Sequence, residues 1–202
     1  MTKTLAVIGL AMALSLPAIL QAATPTESVR ETVDNVLAIL KDPALKGEQK
    51  KKERREKLKE VIYRRFDFTE MAKRSLGSEW RRHSPEEQKE FVQLFRELLE
   101  NAYLDKIESY NGQEVRYLKE RVDNNYAEVD TKLVDNKGQE FSIVYRLYNS
   151  GGDWKVYDVV IEDISLVNNY RAQFSRVLAK SSYAELVDRM KKKQISAPSK
   201  NS

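Results

Sequence analysis

The sequence predicts an α+β fold in which helices pack on one face of a curved, four-stranded antiparallel sheet. Apolar residues recur at helical spacing in the first half of the chain and again near its end, whereas four runs between residues 114 and 162 alternate with period two. Short polar turns join these four runs, so that neighbouring strands are expected to be antiparallel. Helices that precede the strands, rather than alternate with them, favour this class over a parallel-sheet fold.

The chain begins with a segment that is typical of a secretory signal peptide. Lys3 precedes an apolar stretch over residues 5–20, and small residues follow at Ala22 and Ala23. We therefore expect residues 1–22 to be a signal peptide that is cleaved near Ala22 or Ala23, since the apolar stretch is a little short for a membrane span. The exported chain is expected to form a single domain over residues 23–193 and a disordered tail over residues 194–202.

Capping patterns predict where the two main helices begin. Thr24 with Glu27 forms a capping box at the start of the first helix, and Ser84 with Glu87 forms another at the start of the longest one. A proline stands at the first helical position in both cases, where its missing N–H costs nothing. The first helix is expected to end at Asp42.

Four further helices follow from charge, capping and periodicity. The segment 46–60 is dense in charge and predicts a solvated helix whose last two turns dock on the domain. Asp67 is expected to cap a short helix that stops at Gly77. After the strands, we expect one helix over residues 166–179 and a last one capped by Ser182.

The predicted strands cover residues 114–121, 126–134, 139–148 and 154–162, and the last two carry apolar residues on both faces. A small antiparallel sheet with helices on one side normally has one wet face, so the second apolar face must be covered. Other helices or an apolar ligand in a cavity can cover it, and both alternatives remain open. On strict alternation, Trp154, Val156 and Val160 point one way, and Tyr157, Val159 and Ile161 the other.

The usual groups of enzyme active sites are scarce. The chain has one histidine, His83, and no cysteine, which excludes the common zinc sites and thiol nucleophiles, and a Ser/His/Asp triad would require His83 as its base. His83 is interpreted as a surface or capping residue. No P-loop, G-x-G-x-x-G or G-x-S-x-G motif occurs. Basic and acidic residues nearly balance at 35 and 31, and the KKKERREK run is mixed in sign. We expect no enzyme, no catalytic residue, no cofactor, no metal site and no nucleic-acid partner.

Two long segments carry a resemblance to a known family. FDFTEMAKRSLGSEWRRHSPEEQKEFVQLFRELLENAYLDKIESYNG and, beyond the strands, WKVYDVVIEDISLVNNYRAQFSRVL resemble the MlaC family, also called the toluene tolerance family of periplasmic phospholipid carriers. The resemblance extends over residues 24–190. It implies a fold similar to the cone of nuclear-transport-factor-like (NTF2-like) domains, with a deep apolar pocket for acyl chains.

The resemblance also implies a location and partners. The location is the periplasm, and the cargo is a diacyl phospholipid. The protein partners are an outer-membrane lipoprotein in complex with a porin and an inner-membrane ATP-driven (ABC) transporter that carries a lipid-binding substrate domain. A shuttle of this kind needs no oligomer, and we expect a monomer.

The resemblance further places WKVYDVVIEDISLVNNYRAQF at the pocket wall and mouth. For every candidate lipid-contact residue, plain core packing is an equally open interpretation. Arg146 and Arg171 are candidates for contact with the lipid head group. Glu162–Asp163 stands where relatives more often have an acidic residue followed by glycine, and the Asp163 side chain is expected to restrict the backbone conformation before the next helix. The first candidates for lipid contact are Tyr157, Val159, Ile161, Ile164, Val167, Tyr170 and Phe174, and the second are Tyr145, Leu147, Val129, Leu133, Tyr103 and Ile107.

Two other classes of function compete with a lipid carrier. One is a periplasmic binding or chaperone-like module for an apolar peptide or a small hydrophobe, and the other is a hydrolase that acts on lipids. The ligand that copurifies with the protein separates the first class from a carrier, and the appearance of lysolipid or free fatty acid would indicate the second.

Overall fold

A computed structural model describes residues 23–197 of the 202-residue chain. The predicted signal peptide over residues 1–22 and the last five positions of the predicted tail lie outside the described residues. Within the described part, no helix is long and apolar enough to cross a bilayer.

Six α-helices lie within residues 23–197, and four of them begin at the predicted caps Thr24, Asp67, Ser84 and Ser182. Thr24 and Ser84 accept hydrogen bonds from the backbone N–H of Glu27 and Glu87, and both capping boxes are complete, so these predictions are confirmed. Two short 3-10 turns separate the first two helices. The helices are α1 (Pro25–Lys41), α2 (Lys51–Arg65), α3 (Phe68–Leu76), α4 (Pro85–Glu108), α5 (Leu166–Leu178) and α6 (Tyr183–Lys191).

The sheet is antiparallel throughout and its strands lie in sequence order. They are β1 (Glu114–Asp123), β2 (Tyr126–Val134), β3 (Glu140–Ser150), β4 (Asp153–Ile161) and β5 (Ile164–Ser165).

The α+β class is confirmed, but the predicted number of four strands is wrong by one. The additional strand, β5, has only two residues and pairs with the end of β4. The turn between them places Glu162 and Asp163 in the left-handed region, with φ of 50° and 67°. Such a two-residue turn reverses the chain so tightly that the last predicted strand ends at Ile161 instead of continuing.

The alternation predicted for β4 is also wrong, because the strand contains a bulge. Arg146 of β3 pairs with Asp158, and Leu147 pairs with Val156, so that Tyr157 has no partner in the register. The extra residue brings Val156 and Val159 to the same face of the sheet. The apparent apolar character of both faces of β4 therefore comes in part from a change of register within the strand.

An aromatic cluster fills the centre of the helical layer. Phe91 and Phe95 of α4 contact Tyr170 and Phe174 of α5, with ring centroids 5.5 Å apart for the pairs Phe91–Phe174 and Phe95–Tyr170. All four side chains are fully buried. Edge-to-face contacts of this kind add to the apolar burial, and they fix α5 against α4.

The packed chain extends beyond the boundary predicted at residue 193. Ile195 is 8% exposed and belongs to the core together with Leu98 and Met190. The carbonyl of Ser196 accepts a hydrogen bond of 3.1 Å from Gln173. For residues 194–197, which lie in the described part, the expectation of disorder is wrong because an apolar side chain is buried there.

Candidate functional site

An apolar cavity of about 460 Å³ lies between the helix-facing side of the sheet and the helices α1, α2 and α4. Its volume is typical of sites for small organic ligands. The lining is mostly aliphatic and aromatic, with α1 on one side, α4 on another and the sheet as the floor. Representative lining residues are Val33, Val36 and Leu37 of α1, Ile62 of α2, Leu99, Tyr103 and Ile107 of α4, and Leu133, Ile143, Tyr145 and Ile161 of the sheet.

The helix-facing side of the sheet packs in the core at one end and lines the cavity at the other. Val129 and Leu147 are completely buried, whereas Leu133 and Ile143, further along the same strands, are only partly buried and line the cavity. In a closed core, the side chains of α1 and α4 would meet these positions directly. Here the opposing apolar surfaces remain apart, and the space between them suits an apolar ligand.

Six of the thirteen predicted contact residues line this cavity. They come from the sheet and from α4, and they include four of the six second candidates. The six are Val159, Ile161, Tyr145, Leu133, Tyr103 and Ile107.

The other seven lie outside the lining for identifiable reasons. Val129, Leu147 and Val167 are buried in the core. Tyr170 and Phe174 lie on the side of α5 that packs against α4. Ile164 belongs to the two-residue strand β5. The bulge directs Tyr157 toward Arg74, whose guanidinium carbon is 4.1 Å from the ring centroid.

Sequence reasoning missed the contribution of α1 to the cavity. Val29, Val33, Val36, Leu37 and Leu40 form an apolar stripe at helical spacing, and all of them line the cavity. The stripe is visible in the sequence, where it predicts the helix but does not reveal that the helix lines a cavity. Only Val29 is fully buried among protein atoms, so most of the stripe faces the cavity rather than the core.

Ion pairs join α2 to α4 and close one side of the cavity. Glu108 of α4 accepts hydrogen bonds from Arg54 and Arg55 at 2.8 and 2.7 Å, and its side chain is only 9% exposed. Lys59 pairs with Glu100 at 3.2 Å. The hydrogen bond to Glu108 is the main cause that raises the pKa of Arg55. The prediction that α2 is a solvated helix is therefore wrong for its first turns, because they bind α4 through charge.

The two arginines suggested for the lipid head group do not line the cavity. Arg146 pairs with Glu128 at 2.9 Å, and Arg171 donates to the carbonyl of Arg74 at 2.7 Å. The cations that do line the cavity are Lys59, Arg65 and Lys106.

His83 differs from the expected surface residue. Its side chain is 11% exposed, and its ring stacks on that of Tyr183 with centroids 3.6 Å apart. No cluster of three or more carboxylate or histidine side chains among residues 23–197 is arranged to hold a metal ion.

The chain resembles known proteins in sequence and in fold. The model of the MlaC protein family matches residues 30–192. The intermembrane phospholipid transport system binding protein MlaC of Haemophilus influenzae is 28% identical over 120 residues, which cover 57% of this chain and 56% of that protein. The toluene tolerance protein ttg2D of Pseudomonas putida is 28% identical over 102 residues, or 50% of this chain and 47% of that protein. The chain thus spans about half the length of these curated relatives.

A solved structure extends the comparison over nearly the whole fold. It is that of the phospholipid-binding protein from Ralstonia solanacearum in complex with a phospholipid, with 28% sequence identity and a TM-score of 0.77. The superposition covers 85% of this chain and 97% of the other. The family match covers most of the chain, and the fold agrees with that of a lipid-binding protein. The chain therefore belongs to the MlaC family.

Proposed function

We propose that the chain is a periplasmic carrier that takes up a diacyl phospholipid and moves it between the outer and inner membranes. The observation that carries this proposal is the apolar cavity between the sheet and helices α1, α2 and α4. The similarity to a protein solved with a phospholipid supports the choice of ligand, and the names of the curated relatives support a role in intermembrane transport.

The energetics of the cargo make docking to a membrane complex part of the mechanism. Each buried methylene contributes roughly 0.8 kcal/mol, so two chains of about 15 methylenes represent on the order of 24 kcal/mol relative to water. Release into the aqueous periplasm is negligible on this scale. Transfer therefore takes place while the cavity mouth faces an apolar surface of a partner.

The partners in this proposal are an outer-membrane lipoprotein in complex with a porin and an inner-membrane ABC transporter with a lipid-binding substrate domain. Movement of lipid between them maintains the lipid asymmetry of the outer membrane. The carrier acts as a monomer after removal of its signal peptide. It performs no catalysis and needs no cofactor, because the cargo only has to be enclosed and released.

Native mass spectrometry of the full chain, exported by its own leader and purified from a bacterial periplasm, tests the proposal. We expect a stoichiometric adduct that solvent extraction identifies as intact phospholipid. An apolar peptide in its place would favour the binding or chaperone-like module, and lysolipid or fatty acid would indicate a hydrolase. A folded protein that stays empty with liposomes and membrane partners would contradict the proposal.

Two tryptophan substitutions on α1 supply a matched pair for this experiment. Val36 lines the cavity, so Val36→Trp is expected to abolish the lipid adduct by filling the space. Ala38 is exposed on the same helix and does not line the cavity, so Ala38→Trp is expected to retain the adduct. Equal retention in both variants would show that the lipid binds elsewhere.

A further inference from the structure

Hydroxyl groups are the main neutral polar groups in the cavity, and most of them are already satisfied by the protein. Seven lining residues carry a hydroxyl. Five of these hydroxyls donate to acceptors of the chain: Thr32 to the Ser28 carbonyl, Tyr63 to Glu100, Ser109 to the Lys106 carbonyl, Tyr110 to the Gln113 carbonyl and Thr131 to the Ile143 carbonyl.

The remaining two hydroxyls belong to Tyr103 and Tyr145, which approach the cavity from α4 and from β3. Neither has a hydrogen-bond partner among residues 23–197. Burial raises the pKa of Tyr103 to about 12 and also raises the pKa of Tyr145. Both phenols are therefore neutral donors at physiological pH. Both residues line the cavity, so a ligand that enters it can supply the acceptor that the described chain does not.

A cation accompanies Tyr103 at the cavity. Lys106 is exposed, lines the cavity, and places its Nζ 5.0 Å from the centre of the Tyr103 ring. The other two lining cations are paired, Lys59 with Glu100 and Arg65 with Asp153. Lys106 makes no ion pair with any described residue. Its charge is thus available to an anion of the ligand, one helical turn from an unpaired donor.

These groups match the chemistry of one region of the ligand. Hydrocarbon tails have no acceptor, whereas a diacyl glycerophospholipid has two ester carbonyls next to its phosphate. On the basis of the proposed carrier function, we propose that Tyr103 and Tyr145 each donate to an ester carbonyl of the bound lipid while Lys106 faces its phosphate. The cavity then selects ester-linked diacyl phospholipids over ether-linked lipids and plain hydrocarbons.

Competition between two lipids that differ only in the ester carbonyls tests this assignment. The full chain is loaded with a fluorescent phospholipid, which is displaced by vesicles of diester phosphatidylglycerol or of the diether analogue with equal chain length. One hydrogen bond to a carbonyl corresponds to roughly a two- to tenfold change in affinity. We expect the wild-type chain to prefer the diester, Tyr103→Phe and Tyr145→Phe each to reduce that preference, and the double variant to lose it.

Matched variants separate this effect from a general loss of packing. Tyr110→Phe removes a lining hydroxyl that already donates within the chain, and it is expected to keep the preference for the diester. Lys106→Gln is expected to weaken binding of both lipids equally, about threefold, because both carry the phosphate. Lys89→Gln removes an exposed charge near the other end of α4 and should change neither affinity.

The outcomes distinguish the ester site from the carrier function itself. Equal affinity of the wild-type chain for diester and diether lipid, or a preference that survives in the double tyrosine variant, overturns the ester site and leaves the carrier intact. A wild-type chain that takes up neither lipid nor the fluorescent probe overturns both proposals.

Discussion

Asp158 is a buried carboxylate that connects the last long strand to the helix after it. Its side chain is only 4% exposed, and it accepts hydrogen bonds from Ser165 Oγ at 2.6 Å, from the backbone N–H of Val167 at 3.1 Å and from Arg146 at 3.3 Å. Together these contacts attach β5 and the start of α5 to β4. Since Val159 and Ile161 line the cavity from the same strand, Asp158 also keeps the floor of the cavity in place.

Replacement of Asp158 by alanine is expected to lower the free energy of unfolding by about 3 kcal/mol, because three donors lose a buried, charged acceptor. Asp130→Ala serves as the control, since Asp130 pairs with Arg121 on the solvent-exposed face of the sheet. We expect a much smaller loss there. Urea denaturation of both variants measures the difference, and equal losses would show that the Asp158 contacts contribute little.

The turn between β4 and β5 places two residues with side chains in the left-handed region of backbone conformation. Asp163 adopts a φ of 67°, a conformation that glycine reaches without strain. The preceding Glu162 is tied to the sheet, as its carboxylate accepts a hydrogen bond of 2.6 Å from the backbone N–H of Ser142. The turn is therefore anchored through the Glu162 carboxylate, although Glu162 and Asp163 both adopt positive φ.

Two substitutions at Asp163 are expected to act in opposite directions. Asp163→Gly should raise the free energy of unfolding by roughly 0.5 kcal/mol through relief of this strain. Asp163→Val should lower it by about 1–2 kcal/mol, because a β-branched side chain fits poorly at positive φ. Thermal melts followed by circular dichroism report both changes. A glycine variant that melts below the valine variant would exclude strain at this position.

The charged helix α2 depends on a partner that is distant in sequence. Glu108 lies more than 50 residues from Arg54 and Arg55, so no local pattern could have identified the interface. Glu108→Gln is expected to cost about 2–3 kcal/mol, since it removes the charge that two arginines share at a largely buried position. Glu53→Gln, at an exposed pair with Lys50 at the start of α2, should change the midpoint of denaturation little. Similar effects of the two variants would contradict a structural role for the α2–α4 ion pairs.

Local chemistry explains which elements could be predicted. The starts of α1 and α4 were correct because a capping box is complete within four residues, as at Thr24 and Ser84. The bulge at Tyr157 was not predictable, because it depends on how β4 pairs with β3. A change of register of one residue exchanges the two faces of a strand, and the predicted role of Tyr157 was lost with it.

At the scale of the whole molecule, the site was harder to predict than the fold. Tyr170 and Val36 both lie on apolar stripes of helices, and their sequence patterns are equivalent. Tyr170 packs against Phe95 in the core, whereas Val36 faces the cavity. The helix α5 packs directly against α4, whereas α1 lines the cavity, and this arrangement is a property of the assembled fold and not of either helix alone.

An open apolar cavity makes the stability of the whole molecule depend on its cargo. A ligand that binds only the folded state stabilises it by mass action, by about 1.4 kcal/mol for each tenfold excess over the dissociation constant. The delipidated chain is therefore expected to melt at a lower temperature than the loaded one, and added phospholipid vesicles should restore the higher value. Calorimetry of Val36→Trp should show no such shift, because the indole occupies the cavity, while Ala38→Trp should respond as the wild-type chain does. A lipid-dependent shift of equal size in both variants would place the binding surface outside the cavity.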